Sequence, residues 1–131
     1  MMRLSKKADY GLVALKALGS LPPNDSMSAR ELAMRNHLPL DLTPKVLAKL
    51  AQAGLVEATM GKSGGYRLLR DLSQITVAEV VRVLDGESQF VPCNDGEGAC
   101  HRFAQCDIRS PLDTLNREVM KVLDRMTIAQ L

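Results

Sequence analysis

The sequence predicts a mainly α fold with one small β-hairpin wing: a winged helix-turn-helix domain followed by a long C-terminal dimerisation helix. Three observations carry this expectation. Apolar residues recur at helical spacing in five separate stretches. Between the third and the fourth the period shortens to two strand-like runs around Met60-Gly61-Lys62-Ser63-Gly64-Gly65, which reads as a hairpin tip. The last stretch repeats its apolar residues in steps of 3, 4, 3 and 4, a heptad seam rather than a broad globular face.

The first helix is expected over residues 5–18, where Leu12, Val13, Leu15 and Leu18 keep helical spacing among Lys6, Lys7, Asp9 and Lys16. Gly19-Ser20-Leu21-Pro22-Pro23-Asn24-Asp25 is turn chemistry and ends it. Ser28-Ala29-Arg30-Glu31 reads as a capping box, hydroxyl to backbone and carboxylate back to the cap. It opens a short second helix with Leu32 and Ala33 facing inward, which stops near Asn36-His37; Leu38-Pro39-Leu40 makes the turn. The third helix runs to Ala53, with Asp41 or Thr43 as cap and Pro44 in the first turn, where a missing N–H costs little. Val46, Leu47 and Leu50 form its apolar face, and Gly54 is placed as the left-handed cap.

Residues 55–59 and 66–69 are the strand candidates. Thr76-Val77-Ala78-Glu79 is a second capping box, opening a helix through Val80, Val81 and Leu84 to Gly86. Residues 87–109 are polar, hold all three cysteines and lack sustained periodicity, so something must organise them. Ser110-Pro111 caps the last helix, which runs to about Arg125 with Leu112, Leu115, Val119, Val122 and Met126 as its seam. The tail from Thr127 to Leu131 reads as a docked end. The expected division is a DNA-binding domain at 1–86, a cysteine-bearing loop at 87–109, and a dimerisation helix and tail at 110–131.

A chain of 131 residues can bury a core without disulfides, and 46% hydrophobic with 24% charged residues argues against wholesale disorder. No apolar run approaches the roughly 18 residues of a membrane span. The opening residues lack an apolar run followed by a cleavage site, so a cytoplasmic protein with no membrane partner is expected. Three cysteines cannot all pair within one chain. The net charge of +2 hides a split: residues 1–70 hold 11 Lys and Arg against 5 Asp and Glu, and residues 71–131 hold 6 against 10. A basic half of this kind suits a polyanion partner.

Helix, short helix, turn, helix and glycine-rich hairpin is the order of a DNA-reading winged helix, whose third helix enters the major groove of double-stranded DNA. Thr43, Lys45 and Lys49 lie on that helix away from Val46, Leu47 and Leu50. The hairpin offers Lys62, Ser63 and Arg67, with Gly64 and Gly65 expected to let the backbone approach phosphate. Arg3, Ser5, Lys6 and Lys7 add contacts from the first helix. Lysines supply charge neutralisation; base specificity needs polar groups near the start of the third helix. A winged helix that contacts protein instead, with its lysines simply solvated, is the alternative.

Cys93, Cys100 and Cys106 form a C-x6-C-x5-C pattern within the aperiodic segment. Thiolates this close can converge on a metal, whose binding would order the loop. Three thiolates and a fourth ligand suit zinc, whereas arcs wider than C-x2-C suit an iron–sulfur cluster. Redox thiols and incidental cysteines are the remaining alternatives. His101, Glu97 and Asp107 are local options for the fourth ligand; His37, in the helix-turn-helix turn, suits packing or a phosphate. Neither a nucleotide loop nor a triad context is present, so an enzyme with a small-molecule substrate is not expected.

Taken together, the chain resembles the IscR/NsrR-type family of bacterial winged-helix regulators over essentially its whole length. The resemblance rests on Met-Arg-Leu-Ser at residues 2–5, Asp9-Tyr10, Leu32-Ala33, Ala53-Gly54-Leu55-Val56 and Gly64-Gly65-Tyr66-Arg67-Leu68. It continues through Ile75-Thr76-Val77-Ala78-Glu79-Val80, the three cysteines and Thr127-Ile128-Ala129-Gln130-Leu131. Leu38-Pro39 and Lys45-Val46-Leu47 bring it nearest to regulators of the SUF iron–sulfur assembly operon. The resemblance implies a homodimer joined along the last helix, whose DNA affinity is controlled by a 2Fe–2S or 4Fe–4S cluster. It also leaves a nitric-oxide- or redox-sensing repressor, or a zinc-stabilised or cluster-free one, as alternatives.

Two departures change the residue roles the resemblance implies. IscR-like members have a histidine three residues after the third cysteine, where this chain has Arg109. Nitric-oxide-sensing relatives can use a first-helix aspartate from the partner subunit, and Asp9 matches that position, so Asp9 in trans is the expected fourth ligand with His101 behind it. The family often carries arginine just before the first wing glycine for the minor groove; here it is Met60, with Lys62 as substitute.

Overall fold

A computed structural model describes residues 4–61, 64–86 and 109–131. They are mainly helical with one two-stranded antiparallel sheet. The order is α1 (Lys6–Gly19), α2 (Ala29–Arg35), α3 (Thr43–Gln52), β1 (Val56–Thr59), β2 (Gly65–Leu68), a 3₁₀ turn (Leu72–Gln74), α4 (Val77–Asp85), α5 (Arg109–Arg125) and a 3₁₀ turn (Ile128–Gln130). No described helix is long and apolar enough to cross a membrane.

Helix α1 starts where Ser5 accepts the Ala8 N–H at 3.1 Å, and the same hydroxyl donates to the Asp85 carboxylate at 2.6 Å. The N-terminus of α1 is thereby tied to the C-terminus of α4. The two helices cross closely because Gly11 leaves room: a Cβ there would run into Cδ1 of Leu84. Ser28 caps α2 through the Glu31 N–H at 3.1 Å, and Thr76 caps α4 through the Glu79 N–H at 3.1 Å. Both expected capping boxes form only by half. Glu31 turns to Arg35 at 2.6 Å and Glu79 to Arg70, because a guanidinium competes better for a carboxylate than one backbone N–H does.

Neither Asp41 nor Thr43 caps α3. Leu42 takes that position without a side-chain hydrogen bond, and Thr43 is the first helical residue. At the far end Gly54 adopts φ +79°, with Leu55 N–H donating to Leu50 and Gly54 N–H to Ala51, each at 3.0 Å. This is a Schellman closure, as Gly54 predicted. The α2–α3 turn closes similarly through Leu38 N–H on the Ala33 carbonyl at 2.9 Å, with His37 at φ +55°.

The hairpin pairs Val56 with Leu68, Glu57 with Arg67, Ala58 with Tyr66 and Thr59 with Gly65. Met27 adds an isolated bridge outside it, donating to the Tyr66 carbonyl at 3.0 Å and accepting the Tyr66 N–H at 2.8 Å. This contact gives the wing glycines a different reason from the expected approach to phosphate. A Cβ on Gly65 would stand 2.5 Å from the Met27 carbonyl carbon and oxygen, and one on Gly64 would stand 2.5 Å from the Thr59 oxygen. Their missing side chains let the wing lie against its own chain.

Leu15, Leu32, Leu47, Leu50, Leu55, Ile75 and Ile128 are fully buried in one core; burying each contributes about 2 kcal/mol. Ile128 reaches it because the tail is docked, through Val77 N–H on Met126 and Ile128 N–H on Ile75, both at 2.9 Å. Helix α5 packs Val119, Met120 and Leu123 against this core, Met126 just beyond it does the same, and Arg82 grips Asp124 through two bonds at 3.0 and 3.1 Å. The expected seam is therefore divided. Val119 and Met126 pack inward, Leu115 and Val122 are 39% and 51% exposed, and the Leu112 side chain lies outside the described residues.

Candidate nucleic-acid interface

Every lysine and arginine whose side chain is described can be placed by what it touches, the Arg109 side chain not being among them. Arg35, Arg67, Arg70, Arg82 and Lys121 sit in ion pairs. Lys16, Arg117 and Arg125 donate to Leu131, Thr114 and Lys121. Lys6, Lys7, Arg30, Lys45 and Lys49 make neither an ion pair nor a hydrogen bond among the described residues, and all five lie on α1, α2 and α3. An ammonium or guanidinium with no internal partner keeps its charge for an external anion.

Three of the five converge. Lys7 from α1 and Lys45 and Lys49 from α3 rim a small recess floored by Leu42, Val46 and Leu84. Lys45 and Lys49 are one turn apart on the exposed face of α3, and Lys7 reaches them because α1 packs across α3 and α4. Lys6 is exposed beside Lys7. Arg30 was overlooked in the sequence because it sits inside an expected capping box. It lines a second recess with Leu40 and Pro44, where α2 meets the start of α3. Gln52, exposed at the end of α3, was missed as well. Exposed Pro44, Lys45, Ala48, Lys49 and Gln52 follow helical spacing, which the buried Val46-Leu47-Leu50 pattern already implies.

Other expected contacts differ. Thr43 is buried, 1% exposed, and its hydroxyl donates to the Pro39 carbonyl at 2.7 Å, so it is withdrawn from any groove. Ser5 spends its hydroxyl on Asp85 and on the α1 cap. Arg67 is held by Glu57 across the hairpin at 2.7 Å, which neutralises it beside the Pro22-Pro23 turn. Arg3, Lys62 and Ser63 lie outside the described residues. Met60 is 95% exposed at the end of β1, so the wing presents a thioether where the family resemblance leads one to expect a guanidinium.

Of the expected metal ligands, Cys93, Cys100, Cys106 and His101 lie outside the described residues, and among the described residues no three His, Cys, Asp or Glu side chains converge. Asp9 is described. It is exposed in the first turn of α1, one turn beyond Ser5, and its carboxylate has no partner among the described residues. The Ser5–Asp85 bond sets this corner of α1 beside the end of α4, where the chain leaves for the cysteine segment. An exposed carboxylate with no described partner fits an oxygen ligand offered outward, which is what a site shared between two protomers requires.

Comparison with known proteins places the fold in a family. Residues 4–131 match the model of the Rrf2 family, described as iron-dependent transcriptional regulators. CymR (YrzC), the global cysteine regulator of B. subtilis, superposes with a TM-score of 0.76 at 25% identity, covering 99% of this chain and 95% of that one. IscR of T. potens gives 0.76 at 27% identity, covering 98% and 85%, and a transcriptional regulator from Listeria innocua gives 0.78 at 27% identity with the same coverage. Regulators of this family bind DNA and are not enzymes. With its helix-turn-helix cations free and its fold shared along the whole length, the chain belongs to the Rrf2 family of transcriptional regulators.

Proposed function

We propose that this regulator acts in the cytoplasm as a homodimer whose affinity for a double-stranded operator is set by an iron–sulfur cluster, and that it controls iron–sulfur assembly genes. The observation that carries the DNA part is the confinement of unpartnered cations to α1, α2 and α3. Cys93, Cys100 and Cys106 hold the cluster, with Asp9 of the second protomer as fourth ligand. When bound, the cluster supplies the energy that orders residues 87–109 and a bond that can be lost to oxidants or nitric oxide. Asp9 and Lys7 share the first turns of α1, so whatever fixes Asp9 also fixes one phosphate-facing ammonium. A ligand that binds one arrangement of that helix better than another shifts DNA affinity by the difference.

Dimerisation in this reading uses the flank of α5 where Leu115 and Val122 are exposed, adjoining the side that Val119 and Leu123 pack against the core. The likeness to CymR, a cysteine regulator, supports a second reading in which this chain binds DNA without a cluster. Arg109 in place of a histidine favours it too. Anaerobic purification with iron and acid-labile sulfide analysis separates the readings, followed by operator titration with and without the cluster. The expected result is a visible chromophore with iron and sulfide, abolished by Cys93→Ala, Cys100→Ala or Cys106→Ala. Wild-type protein holding zinc alone, with no sulfide, refutes the cluster.

A further inference from the structure

The exposed face of α3 has two ridges of different chemistry. Lys45 and Lys49 form one, beside Lys7. Leu40, Pro44, Ala48 and Gln52, each four residues from the next, form the other. Leu40 continues this ridge ahead of the helix because residues 39–43 already make a helical turn, Thr43 N–H donating to Pro39 at 3.1 Å, and Leu40 and Pro44 share one recess with Arg30. Leu40 is 59% exposed. An apolar ridge left in water on the most cation-rich surface calls for a partner that is both anionic and apolar in places.

A DNA major groove is such a partner. Its walls are phosphates, and its floor carries one apolar group, the thymine 5-methyl, which side chains such as alanine contact directly. Arg30 on one side of the ridge and Lys7, Lys45 and Lys49 on the other are placed for the two walls. Among the polar groups on this face, Asp41 continues the Lys45–Lys49 ridge one turn ahead of Lys45, the Thr43 hydroxyl is consumed at Pro39, and Gln52 is the single amide on the apolar ridge, suited to adenine. Asp41 lies on the charged ridge, and its acceptor would select cytosine, the G·C outcome of the test.

We propose that α3 reads its operator mainly through thymine methyl groups, contacted by Leu40, Pro44 and Ala48, with Gln52 on adenine at the far end. The specificity is thus for A·T pairs in a fixed register, read without charge. This rests on the DNA-binding reading above and names what that surface selects.

The test begins with purified full-length chain and a randomised duplex pool. The retained sequences are expected to share thymines at fixed positions in each half-site. Replacing those thymines by deoxyuridine removes only the methyl groups, and binding is expected to weaken about fourfold for each contacted methyl. Leu40→Ala, at an exposed position, is expected to keep the wild-type urea midpoint and to weaken binding to the thymine duplex while shrinking the deoxyuridine effect. The salt dependence stays unchanged for both. Duplexes retained with equal affinity for thymine and deoxyuridine, or a retained core of G·C pairs, overturn the inference and leave DNA binding intact. Retention of no duplex at all, the outcome if this face docks an acidic protein, overturns the DNA reading and the inference with it.

Discussion

Gly65→Ala separates two reasons for a glycine in the wing. The new Cβ would stand 2.5 Å from the Met27 carbonyl carbon and oxygen and 2.7 Å from the Ser28 nitrogen, where real Cβ atoms keep beyond 3.0 Å. These atoms are backbone and cannot rotate away, so wing and segment must part by at least 0.5 Å. That stretches the Met27–Tyr66 bonds from 3.0 and 2.8 Å to 3.5 and 3.3 Å, the edge of useful geometry. Two weakened bonds cost about 2 kcal/mol, and a disturbed Ser28 cap on α2 costs about 1 kcal/mol more. Gly65 also holds φ +156°, where alanine is strained, so a stiffer unfolded chain gives nothing back. The net loss is about 3 kcal/mol or more. Urea unfolding followed by circular dichroism should show a lower midpoint at unchanged slope. Stability within about 0.5 kcal/mol of wild type, with weakened DNA binding, would refute the packing account and restore the approach to phosphate expected from sequence.

Three further outcomes follow from the same contacts. Lys45→Ala with Lys49→Ala should lower the slope of log affinity against log salt by about 2 per protomer, measured by fluorescence anisotropy on a fixed duplex; an unchanged slope removes both from the phosphate contacts. Val122→Glu should turn a dimer into a folded monomer in analytical ultracentrifugation, since Val122 is exposed on the outer side of α5, and a persistent dimer assigns the interface elsewhere. The Asp71 carboxyl is held below the usual range by the Ser73 backbone N–H first and the Ser73 hydroxyl second. The stabilisation from its ionised form is therefore present above the ordinary carboxylate value and is lost as pH falls through the lower folded value. Ser73→Ala should raise the Asp71 midpoint in an NMR carboxyl titration while leaving it below the usual range, because the backbone bond remains.

Local signals were legible wherever one residue type had one physical use. Gly54 closes α3, Ser28 and Thr76 cap their helices, and the period-two runs pair as a hairpin. Signals failed where tertiary partners competed for the same atoms. Glu31 and Glu79 left their caps for Arg35 and Arg70, and the Thr43 hydroxyl went to Pro39, because Leu42 and not Asp41 or Thr43 begins the helix. The Met27–Tyr66 bridge joins residues 39 positions apart, and no periodicity reports it. The glycine pattern therefore marks the wing as a place of close approach without reporting Met27 as the neighbour.

For α5 the heptad reading located the apolar positions without distinguishing their partners. Val119, Met120 and Leu123, with Met126 just past the helix, pack against the core, while Leu115 and Val122 on the adjoining flank are exposed and serve the proposed second copy; a seam read from spacing merges the two. Charge behaved in the same way. The split between a basic and an acidic half indicated a polyanion partner, yet counting could not say that Arg67 and Arg70 are spent on Glu57 and Glu79 while Arg30 is free. The proposed footprint is drawn from cations left over after internal pairing among the described residues. Those cations lie along α1, α2 and α3, whereas Arg67 on the described part of the wing is paired with Glu57, so the proposed DNA contacts rest on the helix-turn-helix.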